Sequence, residues 1–283
     1  MHPLREMLRS LRASPGFALA LLITLAATTF NGLAVFAPAL IGGVLDMSQM
    51  HFVGANHRTH DLTFGFLFVP TVVGMLAQFL RPSKNIAAQL MALVPWAALL
   101  LTLLLSVVLT NNTRVLQPPW VTVMAAALVA TILHPAGRDF FRSFRGERAN
   151  RVMLGLVAVA AVPLLVRAAT NIRLQGTVTD DHAGLGHYGF MAAFGFTVIG
   201  VGLLASLRPD GWRVTAWVAG LLPAMLGVTS MIYPEASSSL GLVWALAAIA
   251  WGAGFVAAAE LTKGAKRPTL SGAPRVLSRA ARG

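Results

Sequence analysis

The chain has 283 residues, of which 56% are hydrophobic and only 11% are charged, and its mean hydropathy is +0.71. This leaves too little polar surface to cover a water-soluble globule of that size, so the excess apolar surface is expected to face lipid. Cysteine is absent, which excludes disulfides, thiolate metal sites and cysteine nucleophiles. The formal net charge of +12 fits basic loops at a membrane surface, and we expect no nucleic-acid partner.

Long apolar runs predict an all-α, polytopic membrane helix bundle with about eight transmembrane helices. Hydrocarbon offers backbone amides no hydrogen-bond partner, so a run of ~20 apolar residues crosses it as a helix. The first run is longer than one crossing needs and is expected to tilt, or to kink at Pro38. The runs in chain order are Gly16–Leu45, Leu62–Leu80, Ala87–Thr110, Pro119–Leu133, Val152–Ala168, Tyr188–Leu207, Val214–Ile232 and Leu240–Glu260.

The basic residues predict the orientation of these helices. With the N-terminus inside, 18 of the 22 Lys and Arg residues fall on the cytoplasmic side, as the positive-inside rule requires. We therefore predict a plasma (inner) membrane protein whose two termini are cytoplasmic. The four basic residues left on the outer side are Arg58, Arg114, Arg167 and Arg173.

Three basic segments are expected to lie against the cytoplasmic membrane surface. Residues 1–12 form an amphipathic pattern, residues 138–151 interleave arginine with phenylalanine, and residues 262–283 form a basic tail typical of disorder. Anionic lipids are the expected partners of all three. The glycine pairs Gly195–Gly200 and Gly252–Gly254 also favour a homo-oligomer or a larger membrane complex.

The two halves of the chain share a pattern that predicts an internal duplication. His60 precedes Arg81 by the same 21 positions that separate His187 from Arg208. A repeat of four helices keeps its orientation, so the halves would be related by a two-fold axis along the membrane normal. The predicted units are 1–137 (helices 1–4), the linker 138–151, 152–261 (helices 5–8) and the tail 262–283.

Polar residues inside the predicted spans are few. They are expected to hydrogen-bond between helices or to their own helix carbonyls, and contact with a substrate is the alternative. No lysine and no carboxylate lies near the middle of a span, which excludes a retinal Schiff base and an obvious proton carrier. The residues concerned are Thr24, Thr28, Asn31, Gln78 and Gln89.

Histidines and carboxylates concentrate in the predicted outer loops. Neutral imidazole and carboxylate are ligands of zinc, copper and iron, and two methionines add thioethers of the kind that Cu(I) accepts. The alternative is that these are solvated loop residues, because their spacing lacks the fixed geometry of a helical metal motif. The candidate metal ligands are His51, His57, His182, Asp61, Asp181, Met47 and Met50.

His60 and His187 form a second candidate site. If the duplication is real, they occupy equivalent outer ends of helices 2 and 6 and can face each other across the axis. Such a pair could bind haem, a copper or zinc ion, or an anion when protonated. The alternative is that each histidine caps its helix end and hydrogen-bonds a neighbouring loop.

These patterns leave three functional hypotheses. The first is a non-enzymatic carrier or a subunit of a membrane complex, because catalytic motifs are absent and prolines inside spans can break helices around a cavity. The second is an outward-facing metal or haem redox protein that uses the histidines. The third is a membrane sensor whose histidines respond to pH. The prolines are Pro38, Pro70, Pro95, Pro163 and Pro223.

Overall fold

The computed structural model describes residues 12–41, 57–79, 81–113, 121–137, 140–144 and 149–262. All the regular structure in these ranges is helical, which confirms the predicted fold class. The eight main helices are α1 (Pro15–Ile41), α2 (Arg58–Gln78), α3 (Ile86–Thr110), α4 (Val121–Ile132), α5 (Arg151–Thr177), α6 (His187–Leu207), α7 (Trp212–Ile232) and α8 (Gly241–Leu261).

Seven of these helices are long and apolar enough to cross a membrane, and α4 is shorter. With 12 residues and a rise of 1.5 Å per residue, α4 is about 18 Å long, against a hydrocarbon core of about 30 Å. The chain is therefore a multi-pass membrane protein. The amphipathic segment at residues 1–11, the segments 42–56 and 145–148, and the tail 263–283 lie outside the described residues.

The fifth predicted helix was too short. The apolar run ends at Ala168, but α5 continues to Thr177, so Arg167 lies inside the helix and not at its end. The extension is helical because its polar side chains are satisfied within the bundle. Asn171 donates to the Arg167 carbonyl at 2.9 Å, and Gln175 donates to the Ala183 carbonyl at 2.8 Å.

Four helices form the centre of the bundle and four flank it. Helices α2, α3, α6 and α7 pack against one another, with α1 and α4 on one flank and α5 and α8 on the other. In each half the first helix contacts the second and the fourth, and the second contacts the third. The two halves thus have the same pattern of helix contacts, as the duplication would require. The duplication itself stays a prediction.

The prolines of the described helices do not break them. Helices α2, α3, α5 and α7 run without interruption through Pro70, Pro95, Pro163 and Pro223. A buried polar cluster accompanies Pro95: the Thr71 hydroxyl donates to the Ala92 carbonyl at 2.8 Å and accepts from the Trp96 indole at 2.9 Å. Because proline removes one helical hydrogen bond, bonds of this kind help to satisfy the backbone nearby.

Helices α7 and α8 approach each other along a seam of small residues. A Cβ on Gly252 would lie 2.2 Å from the Gly220 carbonyl oxygen, and a Cβ on Gly227 would lie 2.5 Å from the Ala245 carbonyl oxygen. Each pair is seven residues from the next along its helix, so the contacts repeat on one face of each. Gly252, expected to serve association between chains, is thus occupied within the chain.

We call the end of the bundle where α2 and α6 begin the histidine end, and the end where they finish the opposite end. Near the opposite end, His134 is buried and packs edge-on against Phe17 and Phe140. Its Nδ1 accepts from the Ala136 amide at 3.2 Å, so its Nε2 carries the proton and donates to Gln78 Oε1, also at 3.2 Å. Burial lowers the pKa of His134 to about 4, with a smaller opposing effect from the Pro82 backbone.

The other span residues predicted to make polar contacts form local or interhelical hydrogen bonds. On α1, Thr28 donates to the Thr24 carbonyl and Asn31 to the Ala27 carbonyl. Gln89 of α3 donates to the Thr131 hydroxyl of α4 at 2.8 Å. These are the self-satisfied and interhelical bonds that apolar surroundings favour.

We expect Gly252→Ala to destabilise the protein by about 1–3 kcal/mol, because the added methyl group forces α7 and α8 apart. Thermal unfolding in a mild detergent measures the change. Gly254→Ala is the matched control, since a Cβ at Gly254 meets nothing within 4 Å. Equal effects of the two substitutions would show that the seam does not hold these helices together.

We also expect His134 to make stability depend on pH. Its pKa is lowered on folding from 6.5 to about 4, so the unfolded chain binds a proton that the folded chain does not. Stability is therefore lost as the pH falls from about 6.5 towards 4, by up to about 3 kcal/mol. Comparison with His134→Asn, which does not titrate, isolates this contribution: wild type should lose more stability than the variant over this range.

Candidate metal centre

Four histidines from two distant parts of the chain meet at the histidine end. His57 immediately precedes α2, and His60 lies on the first turn of that helix. His182 lies in a short helix, Asp181–Gly184, and His187 is the first residue of α6. The starts of α2 and α6 are adjacent because these two central helices pack against each other.

A short nitrogen–nitrogen contact within the cluster joins His57 and His187. Their Nδ1 atoms are 3.2 Å apart, which places one ring nitrogen as donor and the other as acceptor. On its far side, His187 Nε2 lies 3.3 Å from Asp61 Oδ1. A proton on Nε2 of His187 would face this carboxylate and leave Nδ1 as the lone pair that faces His57.

The nitrogen separation is close to that of two ligands on one metal ion. Zinc–nitrogen bonds of 2.0–2.1 Å at a tetrahedral angle place two nitrogens about 3.3 Å apart. A histidine that binds a metal commonly has its other nitrogen beside a carboxylate, as His187 Nε2 lies beside Asp61 Oδ1. The pair therefore has the geometry of two first ligands together with the carboxylate that orients one of them.

His182 is the third candidate ligand. Its ring stacks on that of His57, with centroids 4.3 Å apart and planes inclined by 10°. One ligand atom from each of His57, His182 and His187 can be chosen so that all three lie within 4.8 Å of one another. His182 Nε2 is also buried without a hydrogen-bond partner, so this ring has an orphaned polar atom that a ligand could satisfy.

Burial and the neighbouring imidazoles favour the neutral form of His57. Desolvation lowers the pKa of His57, and the neighbouring imidazoles of His187 and His182 lower it further. The Asp61 and Asp181 carboxylates act in the opposite direction but do not reverse the shift. Only neutral imidazole binds metals, so this environment suits a ligand.

A set of hydrogen bonds fixes the short helix that carries His182. Asp180 caps this helix by accepting from the Ala183 amide at 2.9 Å, and it also accepts from the Tyr188 hydroxyl at 2.8 Å. Burial alone would raise the pKa of Asp180, but these two donors hold it below its ordinary value. Gln175 ties the same loop to α6, since its Oε1 accepts from the Gly189 amide at 2.9 Å.

His60 is fully buried and differs in role from the other three. Its ring lies face to face with that of His187, with centroids 5.0 Å apart and planes inclined by 13°. Two axial haem ligands instead point their nitrogens at one iron from opposite sides, so this geometry favours a small ion over haem. His60 Nε2 is 2.6 Å from Ser238 Oγ, and its Nδ1 has no partner.

Ser238 connects His60 to Arg167. It lies between α7 and α8 with a φ of +66°, a backbone conformation that is uncommon for a residue with a side chain. Arg167 donates from Nη2 to the Ser238 carbonyl oxygen at 2.5 Å. The guanidinium of α5, the loop before α8 and the imidazole of α2 thus form one connected group.

The remaining predicted ligands divide into two groups. Asp181 is exposed beside the cluster and forms no hydrogen bond to it. His51, Met47 and Met50 lie outside the described residues.

Sequence reasoning missed Ser238, Tyr188 and the role of Arg167. Ser238 and His60 are 178 positions apart in the sequence, so no local sequence pattern predicts their contact. A signal did exist for α5: Arg167, Asn171 and Gln175 are spaced by four, which places them on one helical face beyond the apolar run.

Comparison with protein-family models, curated proteins and solved structures finds no significant match. The interpretation of the site therefore depends on its own geometry.

Proposed function

We propose that this multi-pass membrane protein binds a divalent transition-metal ion between His57, His182 and His187, with Asp61 orienting His187. The observation that carries the proposal is the line of groups from Asp61 through His187 to His57. A carboxylate holds one nitrogen of His187, and the other nitrogen lies 3.2 Å from a second imidazole. Solvated loop histidines would not be held in such a carboxylate–imidazole–imidazole line.

The donor set favours zinc or a similar borderline ion. Three imidazoles suit zinc, copper, nickel and iron, whereas calcium and magnesium prefer an all-oxygen shell. The three donors suit a tetrahedral ion, for which zinc is the simplest choice.

Both halves of the proposed duplication contribute to the site. His57 and Asp61 belong to the first half, while His182 and His187 belong to the second. A bound ion would link the two halves at the histidine end.

We favour this function because it has a positive structural observation behind it. The prolines that suggested helix breaks for a carrier, Pro70, Pro95, Pro163 and Pro223, lie in helices that continue through them and supply no such observation. The metal hypothesis needs convergent donors, and these are present.

We also propose that the histidine end faces the outside of the plasma membrane and that the opposite end, with its basic loops, faces the cytoplasm and anionic lipid. The support is the charge distribution along the chain.

We expect the purified protein to bind about one zinc ion per chain, and zinc to raise its unfolding temperature, because a ligand that binds only the folded state stabilises it. His187→Ala should abolish this effect. Asp61→Asn, which retains the shape of the side chain, should weaken zinc affinity by about 10- to 100-fold. Elemental analysis, zinc titration and thermal unfolding measure these changes.

The matched control for these variants is His134→Asn, which removes a buried histidine near the opposite end and should leave zinc affinity unchanged. If wild type binds no zinc, cobalt or copper, or if Asp61→Asn binds zinc as tightly as wild type, the proposed site is wrong.

The orientation can be tested by cysteine labelling, because the chain has no cysteine of its own. Glu235 is exposed at the histidine end and Ser83 is exposed at the opposite end. We expect a membrane-impermeant maleimide to label Glu235→Cys in intact cells, and Ser83→Cys only after permeabilisation. The reverse pattern would overturn the proposed orientation.

A further inference from the structure

The three-histidine site accounts for only part of the polar chemistry at the histidine end. His60 Nδ1 and Arg167 Nε are both buried, and neither has a hydrogen-bond partner. A buried polar group without a partner costs free energy, so two such groups in one region require an explanation.

Arg167 carries a positive charge for which the described part of the chain shows no carboxylate partner. It lies within α5, and its hydrogen bond in the structure goes to a neutral acceptor, the Ser238 carbonyl. Among the described residues no carboxylate forms a salt bridge with it. A charged side chain inside a membrane span is expensive and usually marks a functional site.

The proposed metal adds to this positive charge. A divalent ion on the three imidazoles brings two positive charges, while Asp61 contacts His187, and Asp180 and Asp181 lie close enough to interact with the imidazoles. Arg167 is close enough to His60 to interact with it electrostatically, and His60 packs directly against His187 and His182. Three carboxylates thus act on the imidazoles, whereas none of the described carboxylates forms a salt bridge with Arg167.

Among the described residues, the proposed site supplies three ligands to the metal, one fewer than a tetrahedral ion takes. His57, His182 and His187 form the group of donors, while His60 is engaged with Ser238 and presents its ring face to His187. Zinc sites with three protein ligands commonly keep a fourth position for water or another exogenous ligand, whereas structural zinc sites are closed by four.

On this basis we propose that the metal site takes a small anion, a carboxylate or an inorganic anion, at its fourth position, and that Arg167 stabilises the bound anion. This inference rests on the proposed metal site. Ser238 then acts as a positioning residue: its carbonyl holds the guanidinium and its hydroxyl holds the imidazole of His60. His60 Nδ1 and Arg167 Nε are both buried without a hydrogen-bond partner, and Ser238 contacts both residues.

Cobalt(II) tests the inference, because it replaces zinc in such sites and its visible spectrum reports the ligands that zinc conceals. The protein in mild detergent is loaded with cobalt(II) and titrated with azide and, separately, with acetate. We expect both anions to change the visible spectrum saturably. A response to azide alone restricts the site to inorganic anions and removes the carboxylate part of the proposal.

Arg167→Gln should retain cobalt but bind the anions about tenfold more weakly, because it removes a charge-assisted interaction. The matched control is Arg173→Gln, which removes an exposed arginine from the same helix and should leave anion affinity unchanged. Arg167→Lys keeps the charge and should recover part of the affinity, which separates a charge effect from a loss of folding.

The outcomes distinguish the two proposals. If cobalt does not bind, the metal site itself is wrong. If cobalt binds but wild type shows no spectral change with either anion, the coordination sphere is closed and the anion inference is wrong, while the metal site stands. An equal anion affinity in wild type and Arg167→Gln would remove Arg167 from the site.

Discussion

The hydrocarbon core of a membrane has no hydrogen-bond donors or acceptors, and the structure follows from that constraint. Each helix satisfies its own backbone, and each polar side chain within a span must find a partner inside the bundle. Thr28 and Asn31 bond to their own helix, whereas Gln89 and Thr71 bond across to neighbours. The same constraint makes Arg167, whose Nε has no partner, conspicuous.

Most of the fold could be predicted from the sequence because that constraint has a simple signature. An apolar run of sufficient length is a helix, so the number and order of the helices were accessible from hydropathy. The end of α5 was not, because Asn171 and Gln175 are polar by composition but satisfied by tertiary contacts with the backbone. A hydropathy profile detects lipid-facing helix surface, but it does not detect a polar helix face that packs against protein.

The candidate site was predictable in its ingredients and only partly in its arrangement. The sequence placed histidines near the same end of helices 2 and 6, and the structure brings His60 and His187 into contact there. It did not separate their roles. His187 points a nitrogen at His57, whereas His60 turns towards Ser238, a residue whose position depends on how α7 and α8 are connected. Pairings over such distances arise from packing, which no local spacing encodes.

Ser238 shows how local stability and function conflict in this molecule. Glycine would adopt its left-handed backbone conformation at lower cost, since that conformation is disfavoured for residues with a Cβ. Yet the side chain that makes the conformation costly is the one that contacts His60. A glycine here would relax the loop before α8 and leave an imidazole free to rotate. The strained backbone at Ser238 therefore accompanies the contact that sets the direction of the His60 ring. A glycine at this position would lower the strain but would remove that contact.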